Sequence, residues 1–457
     1  MKETEKHNDN TQRFSFRKYA WKQFKKNIPA FISFWILMLM IFVGVFASFI
    51  ANDQPLYAKY RGKTFYPAFA THWIGKSVFG CSGLDSTQHP ETGNWEILSY
   101  ENTDWKSLNL ESVVWAPVPF SASGQDILNR DFSSPGDVHF KRNANGEIQA
   151  SEGKFRHRLG TDILGRDVLA GLIHGTKIAL LVGVVSMGIA VLIGLFLGAM
   201  AGYYGDHGLQ LKRLQYWMIF PALMLAWFYG IQIRSYSVSD AMEQSAAYGL
   251  FQFFISLLLF VAVFLVVIFL SGKLAVGVLA KKVNLPVDTW ISRFIEIFNS
   301  MPKLLLILSV SAIVEERSMW LLMVIIGLSS WTEIARFVRA ELLRVRELEF
   351  IQAARSFGFS DFRIIFKHAL PNALAPVFVY IAFGIASSIL VESGLSFLNI
   401  GVPDDVVTWG SMLNIGRTEP ESWWMIVFPG LAIFVTITMY NLIGEGLRDA
   451  LDPRQKR

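Results

Sequence analysis

Residues 344–372, RVRELEFIQAARSFGFSDFRIIFKHALPN, form a polar island between long apolar runs, and their spacing predicts two short helices joined by a turn. From Glu347 to Phe357 the apolar positions Leu348, Ile351, Ala354 and Phe357 recur at helical intervals, and Gly358 supplies the residue best able to reverse the chain. Ser360 is a suitable N-cap for the second helix. That helix carries Phe362, Ile365, Phe366 and Ala369 on one side, keeps Arg363 and Lys367 for water or phosphate, and is expected to stop at Pro371.

The flanks of this island fix the class. The 457 residues are 52% hydrophobic and 17% charged, with a mean hydropathy of +0.37, the composition of a multi-pass membrane protein. A net charge of +5 raises the question of nucleic acid, but the basic residues sit at the ends of apolar runs rather than on one continuous face. Membrane lipid and topology account for them, and no nucleic-acid partner is expected. One cysteine, Cys81, excludes an intrachain disulfide framework.

In chain order, residues 1–27 are polar, and Arg17, Lys18, Lys22, Lys25 and Lys26 crowd the approach to an apolar run, as in a cytoplasmic juxtamembrane segment. Residues 28–51 carry no charge and are long enough to cross a hydrocarbon core of about 30 Å as a first transmembrane helix. A cleaved signal peptide is the rival reading, but the run is long for one and no clear cleavage site succeeds it. Residues 52–158, with Trp73, Trp95, Trp105 and Trp115 among Gly, Ser and Asn, predict an external loop or domain of short strands and turns. Within it, Gly75-Lys76-Ser77 imitates the end of a phosphate-binding loop, yet the first glycine of that motif would fall on Ala70, so no nucleotide site is expected.

RHRLGTDILGRDVLAGLIHGTKIAL, residues 156–180, leads into a second membrane helix over Ile178–Ala201, the whole segment running 159–201. Thr161 or Asp162 can cap a helix, and Asp162 and Arg166, one turn apart, can pair to hold an amphipathic helix at the outer interface. The alternative, a metal held by Asp162, Asp167 and His174, lacks a convincing ligand cluster. Gly194, Gly198 and Gly202 repeat at intervals of four and mark a face where another helix can approach closely. Residues 202–286 then predict an inserted hairpin, with apolar passes over Leu214–Ile231 and Phe251–Ala280, a polar outer loop at 232–250, and Lys212, Arg213, Lys281 and Lys282 inside.

From residue 287 to 457 the pattern is four more passes around the polar island. Pro302 kinks or starts one that ends near Val314; after the turn EERS, Trp320–Ala340 returns through Glu333, Arg336 and Arg339, charges read as topology markers at the inner interface. Ala373–Leu395 and Trp424–Leu447 come next, separated by an external loop containing NIGVPDDVVTWGSML. Glu392, an ionisable residue inside an apolar run, is a candidate for the substrate pathway, its plainer reading being a structural hydrogen bond.

Gln352-Ala353-Ala354, three residues, Gly358, nine residues, then His368-Ala369-Leu370-Pro371 resembles the EAA loop of ABC importer permeases, usually E-A-A-x3-G-x9-I-x-L-P. Gln352 stands where Glu is usual, and His368 where Ile is usual, while H-x-L-P looks like the dipeptide/oligopeptide/nickel branch. The Gln keeps hydrogen bonding but loses a charge, which weakens its hold on any Arg partner. Residues 159–168 resemble the L-G-T-D-x-x-G-R-D-V of the C-type peptide permeases and match it at every fixed position, Gly160, Thr161, Asp162, Gly165, Arg166 and Asp167 among them. ANDQPLYAKYRGKTFYP, residues 51–67, and VWAPVPFS, residues 114–121, resemble the Yej-type oligopeptide and microcin C branch, which also has an enlarged loop after the first helix. The tail NLIGEGLRDALDPRQKR is similar to the ending of this class.

The resemblance implies an all-α integral membrane protein: a six-helix type I ABC importer permease core, with an inserted transmembrane hairpin and a large external loop. It implies a subunit of the bacterial cytoplasmic membrane with both termini cytoplasmic. The partners would be a second homologous permease, two cytoplasmic ATPase subunits that bind the ATP, and an extracytoplasmic binding protein delivering peptide. Gln352, Ala353, Ala354, Gly358, His368, Leu370 and Pro371 would form the coupling element, with no catalytic residue, cofactor or metal on this chain. Peptides, nickel complexes and peptide-like antibiotics all remain open as cargo, and so does homodimer against heterodimer. An ion-coupled secondary transporter is the alternative class, and it would need clustered ionisable groups near the bilayer midplane that do not appear. A membrane enzyme would need a convergent catalytic set, and neither H-E-x-x-H nor G-x-S-x-G falls on a plausible segment.

Overall fold

In a hydrocarbon core every backbone N–H and C=O must find a partner within its own segment, so a chain of this composition crosses as helices. A computed structural model describes residues 16–70, 84–88, 95–99, 103–142, 147–151, 153–313 and 317–451. Trp73, Gly75-Lys76-Ser77, Cys81, part of the EERS turn, and the expected polar leader and basic tail beyond these bounds lie outside the described residues.

The principal helices are α1 Phe16–Phe24, α2 Ile28–Val45, α3 Val168–Tyr204, α4 Arg213–Trp227, α5 Ser235–Gln244, α6 Ala246–Leu274, α7 Val287–Asn299, α8 Lys303–Ile313, α9 Met319–Val345, α10 Glu349–Ser356, α11 Leu370–Phe397, α12 Trp409–Thr418 and α13 Trp424–Leu451. Among the described residues seven helical stretches are long and apolar enough to cross a membrane, or eight if α7 and α8, interrupted at Pro302, count as one span. Six of the eight form the expected core and two the inserted hairpin.

Four expectations need correction. α3 begins at Val168, ten residues before the expected start at Ile178, because Asp167 caps it there: its Oδ1 accepts the Ala170 N–H at 2.7 Å. The stretch 232–250, expected as a polar loop, is largely helical, with a π-turn at Phe228–Gln232 leading to α5. The loop after α11 contains α12, whose Thr408 and Ser411 form a reciprocal capping box. The second helix of the polar island does not stop at Pro371 but runs on into α11.

The chain divides into two compact units. The first comprises Met1–Leu195, Met301–Ile334 and Ala373–Arg457. In it α2 packs along α13, α1 and α12 also pack on α13, and Asn27 both caps α2 and donates to Asp449 at 3.0 Å. Buried Leu37, Val168, Ile389, Trp409, Met412, Trp424 and Tyr440 share its main core. The strands of the large loop fall here: β1 Tyr57–Tyr60 pairs antiparallel with β2 Lys63–Phe65 and β5 Ser112–Val114 over a core of Tyr60, Phe65 and Trp105. β3 Leu84–Gln88 pairs with β4 Trp95–Ser99, and β6 Phe140–Arg142 with β7 Ile148–Ala150, so this region is short strands and turns as its turn-rich composition predicts.

The second unit comprises Phe196–Ser300 and Ala335–Asn372. Its hairpin, α4 and α5 against α6, is closed at the base by β8 Gln210–Lys212 pairing with β9 Lys282–Asn284. The glycine repeat of α3 meets α9 within each unit. A Cβ on Gly194 would lie 2.8 Å from Trp331 O in the first; in the second, one on Gly198 would lie 2.6 Å from Ala335 O and one on Gly202 2.7 Å from Arg339 O. Those contacts are closer than any side chain permits. Gly198→Leu therefore overpacks a helix contact, which costs about 1–3 kcal/mol, and should lower the Tm of the detergent-purified protein. Gly188→Ala, on the same helix with nothing within 4 Å of the new methyl, should leave Tm unchanged or raise it.

Candidate functional site

The polar island folds as α10, a turn at Gly358, a single turn at Asp361–Arg363 and a π-turn at Ile364–Ala369 that enters α11. Ile351 and Ala354 are buried, whereas Gln352 and Ala353 are exposed, and the Gln352 amide donates to the Glu347 carbonyl at 3.2 Å. Gly358 has φ 75° with nothing near a built Cβ, so it is the left-handed dihedral alone that calls for glycine. Ser360 occupies the N-cap position, although its hydroxyl makes no capping bond. Through the π-turn the Leu370 N–H bonds to Ile365 O, five residues back. Pro371 comes where the ladder is already out of register, so its missing N–H and its ring are tolerated and the helix continues. His368 stacks on Phe359 with centroids 6.1 Å apart, and Leu370 is buried.

The apolar face expected from periodicity is split. Ile365 and Ala369 are buried, but Phe357, Phe362 and Phe366 are 79%, 70% and 54% exposed, and Leu348 is exposed as well. The loop thus presents aromatic rings beside Arg363 and Lys367. Residues far away in sequence hold it. The Tyr203 hydroxyl at the end of α3 donates to Asp361 at 2.8 Å, and the Arg355 guanidinium lies over the Tyr203 ring at 4.9 Å. Arg339, read from sequence as a topology marker, makes a bidentate pair with Asp288 of α7. Tyr203, Asp361 and Asp288 carried no local sequence signal.

The second motif lies wholly in the first unit. Residues 159–167 form no helix: they make a tight turn closed by a bridge between Thr161 and Asp167. Asp162 Oδ1 accepts the N–H groups of Leu164 and Arg166, each at 2.8 Å, while the Arg166 side chain stays 4.0 Å away, so the carboxylate organises the turn more than it pairs with the cation. Burial pushes the Asp162 carboxyl above its ordinary value against those same bonds. Gly160 and Gly165 have φ 80° and 78°, and a side chain on Gly160 would meet Ser133 O at 2.7 Å. Thr161 donates to Asn129 O at 2.8 Å, and Trp424 Nε1 donates to Thr161 O at 3.1 Å.

Asp167 carries a contact that no sequence pattern announced. Its Oδ2 meets His157 Nδ1 at 2.8 Å, the other ring nitrogen meets Asp126 Oδ2 at 3.2 Å, and Phe120 stacks on the imidazole at 4.0 Å. The expected alternative of a metal at Asp162, Asp167 and His174 does not assemble, since His174 Nε2 bonds to Ala51 O at 3.0 Å. Among the described residues no group of three His, Cys, Asp or Glu could hold a metal ion. Glu392 is 1% exposed and accepts from Ser396 at 2.6 Å and Ser393 at 3.3 Å, and the Thr408 hydroxyl also reaches it. That environment satisfies the hydrogen-bonding needs of a buried acid.

Membrane-length helices interrupted by a short helix, a glycine turn and a π-turn define a multi-pass membrane protein whose polar island presents exposed aromatic rings. Residues 273–457 match the family model of the binding-protein-dependent transport system inner membrane component, and residues 15–67 that of the N-terminal TM domain of oligopeptide transport permease C. The inner membrane ABC transporter permease protein YejE of Escherichia coli (strain K12) is 27% identical over 95% of this chain and 96% of its own length. The peptidoglycan transport system permease protein YejE of Agrobacterium fabrum is 25% identical over 96% and 93%. A putative peptide permease protein of Brucella suis biovar 1 is 29% identical over 66% and 74%. The chain belongs to this family of ABC importer permeases, of the Yej type, and is a multi-pass inner-membrane protein; the ion-coupled alternative falls away.

The histidine clamp gives the first unit a pH dependence. Burial works against charge on His157, but its bonds to Asp126 and Asp167 outweigh it and hold the imidazolium above its ordinary value. Stability from the clamp is therefore complete below about pH 6.5 and is lost as pH rises through the raised value. In thermal unfolding of the detergent-purified protein, His157→Gln should lower Tm most at pH 6, and the gap to wild type should close towards pH 9.

Proposed function

We infer that this chain is one of two permease subunits of an importer for peptides or peptide-like compounds. The observation that carries the coupling part of this reading is the exposed aromatic rim of the polar island, Phe357, Phe362 and Phe366, beside Gln352 and the Gly358 turn. An ATPase subunit docks there, with Gln352, Ala353, Ala354, Gly358, His368, Leu370 and Pro371 forming the coupling element. Because Gln352 lacks the usual carboxylate, the grip depends more on apolar contact than on an ion pair. Two ATPases supply ATP binding and hydrolysis; this chain carries neither. A second homologous permease completes the route.

Lys212, Lys281, Lys282 and the arginines of 336–346 favour a cytoplasmic coupling side, together with both termini. The 52–158 region and the Gly160–Asp167 turn that succeeds it then face outward, where a binding protein delivers cargo. Peptide cargo is supported by the names of two relatives, a peptidoglycan transport permease and a peptide permease. ATP-driven closure of the ATPases moves the coupling loop, and the helices joined to it alternate access.

Co-purification of the tagged chain from mild detergent tests this. Wild type should bring down an ATPase and a second permease. Gly358→Pro, which cannot adopt φ 75°, and Phe362→Asp, a surface change at a 70% exposed ring, should each lose the ATPase and keep the second permease. Retention of the ATPase by both variants would remove the coupling assignment.

A further inference from the structure

One face of α13, in the first unit, carries a polar stripe that the coupling loop does not use. Thr438, Asn441, Glu445 and Arg448 recur along it at intervals of three and four. With Leu442 and the Phe383 ring of α11 they line a crevice of about 310 Å³, at the lower end of the about 300–1,000 Å³ typical of clefts that hold ligands. A Cβ built on Gly444 would lie 3.0 Å from the Phe383 ring, so glycine lets that ring settle on the α13 backbone. Asn441, Glu445 and Arg448 are exposed and Thr438 is half-buried. Glu445 and Arg448 have a spacing at which opposite charges can meet, yet they form no ion pair. None of the four side chains is hydrogen-bonded to another described residue.

The depth of the crevice follows from two markers. Exposed Trp423, and Trp424 bonded to the Thr161 carbonyl, set one interface. At about 1.5 Å per residue Glu445 lies about 31 Å further along α13, which is the thickness of the hydrocarbon core. Asp449, one turn beyond Glu445, accepts from Asn27, the cap of α2, beside exposed Lys25 and Lys26. Glu445 and Arg448 therefore stand at the headgroup level of the opposite leaflet. Towards the bilayer centre the same stripe continues at intervals of three and four through Phe434 and Leu431, both exposed, and Leu390 of α11 is exposed as well. The face is charged at headgroup depth and apolar above it, which is the pattern of a phospholipid molecule. The charges specify the headgroup. A guanidinium is a planar fork of five N–H donors that fits a phosphate, and a carboxylate accepts from an ammonium. An anionic headgroup would satisfy Arg448 and leave Glu445 facing a like charge, whereas a headgroup with both charges satisfies both.

We propose that this crevice holds a zwitterionic aminophospholipid, of the phosphatidylethanolamine kind, Arg448 taking the phosphate and Glu445 the primary ammonium. Asn441 and Thr438 meet the ester oxygens, and the acyl chains run along Phe434, Leu431 and Leu390. The site requires only that the chain be embedded in a membrane, and it is independent of what the importer carries.

The test offers the full detergent-purified chain equal amounts of dioleoyl phosphatidylethanolamine and dioleoyl phosphatidylglycerol, and native mass spectrometry counts the lipid bound. Wild type should retain the amine lipid in preference. Glu445→Gln should cut that preference by about tenfold, the factor that about 1.4 kcal/mol gives. Arg448→Gln removes the group that meets the phosphate common to both lipids, so it should lower binding of both and keep their ratio. Both side chains are exposed and unpaired, so neither variant should change Tm in the absence of added lipid. Glycerophosphoethanolamine, the same headgroup without acyl chains, should not displace the bound lipid. Equal binding of the two lipids by wild type, a preference that survives Glu445→Gln, or displacement by the soluble headgroup would each overturn the proposal. So would loss of the co-purified second permease from either variant, which would make the crevice a subunit contact.

Discussion

The approach of α3 to α9 is the constraint on which the helix packing depends. Lipid gives packed helices no hydrophobic advantage over separated ones, so association rests on dispersion and on how near two backbones can come. At Gly194, Gly198 and Gly202 the backbone of α3 comes within a built Cβ's reach of the carbonyls of Trp331, Ala335 and Arg339. The contact is reciprocated by Gly327 of α9, where an added Cβ would lie 2.7 Å from Ser186 O, and Ser186 donates to Met323 O at 2.9 Å. A polar side chain and absent side chains thus act together along one seam. Any bulk placed there pushes apart helices that hydrocarbon has no tendency to push back.

The ends of these helices are held by a different physics. Tyr203 on Asp361 and Arg355 over Tyr203 tie the polar island to its own unit by charge-assisted contacts, and Arg339 on Asp288 ties α9 to α7 there. In the other unit the 159–168 turn is fastened through Thr161, Asp167 and Trp424. Apolar matching would allow either segment to slide, whereas directional bonds fix its register.

Much of this was legible in the sequence because hydropathy and glycine spacing are local signals. The run 28–51, the Gly194–Gly198–Gly202 repeat and the Gly358 turn could each be read within a few residues, and family motifs added what local physics did not. α12 was also within reach: Thr408 and Ser411 form a capping box, and buried Trp409, Met412 and Gly416 fall at intervals of three, four and seven. The motif's histidine clamp was not, since Asp126 lies 31 residues from His157 and nothing local marks the pair. Nor was Asp288 with Arg339, 51 residues apart. The expected stop at Pro371 failed for a third reason: proline ends a regular ladder, and the π-turn before it had already made the ladder irregular.

The inserted hairpin shows how a feature that weakens a sequence assignment can be what builds the structure. Gln215 counts against a membrane pass when read alone, yet its amide donates to Ile268 O of α6 at 3.1 Å while its carbonyl accepts the Lys212 N–H at 3.0 Å. Lys212 in turn donates to Gly272 O at 2.6 Å. Towards the other end, Arg234 reaches across to Ser256 at 3.0 Å and to Gln252, so a cation next to an apolar helix is paired within the hairpin rather than left to lipid. With polar clamps at both ends and β8 and β9 paired from Gln210 opposite Asn284 to Lys212 opposite Lys282, the hairpin satisfies its own backbone and returns the chain beside its point of departure. Two passes also leave the number of crossings even. An insertion that closes on itself in both hydrogen bonding and topology asks nothing of the helices downstream, which is why the family pattern resumes after Val287-Asp288 as though the hairpin were absent.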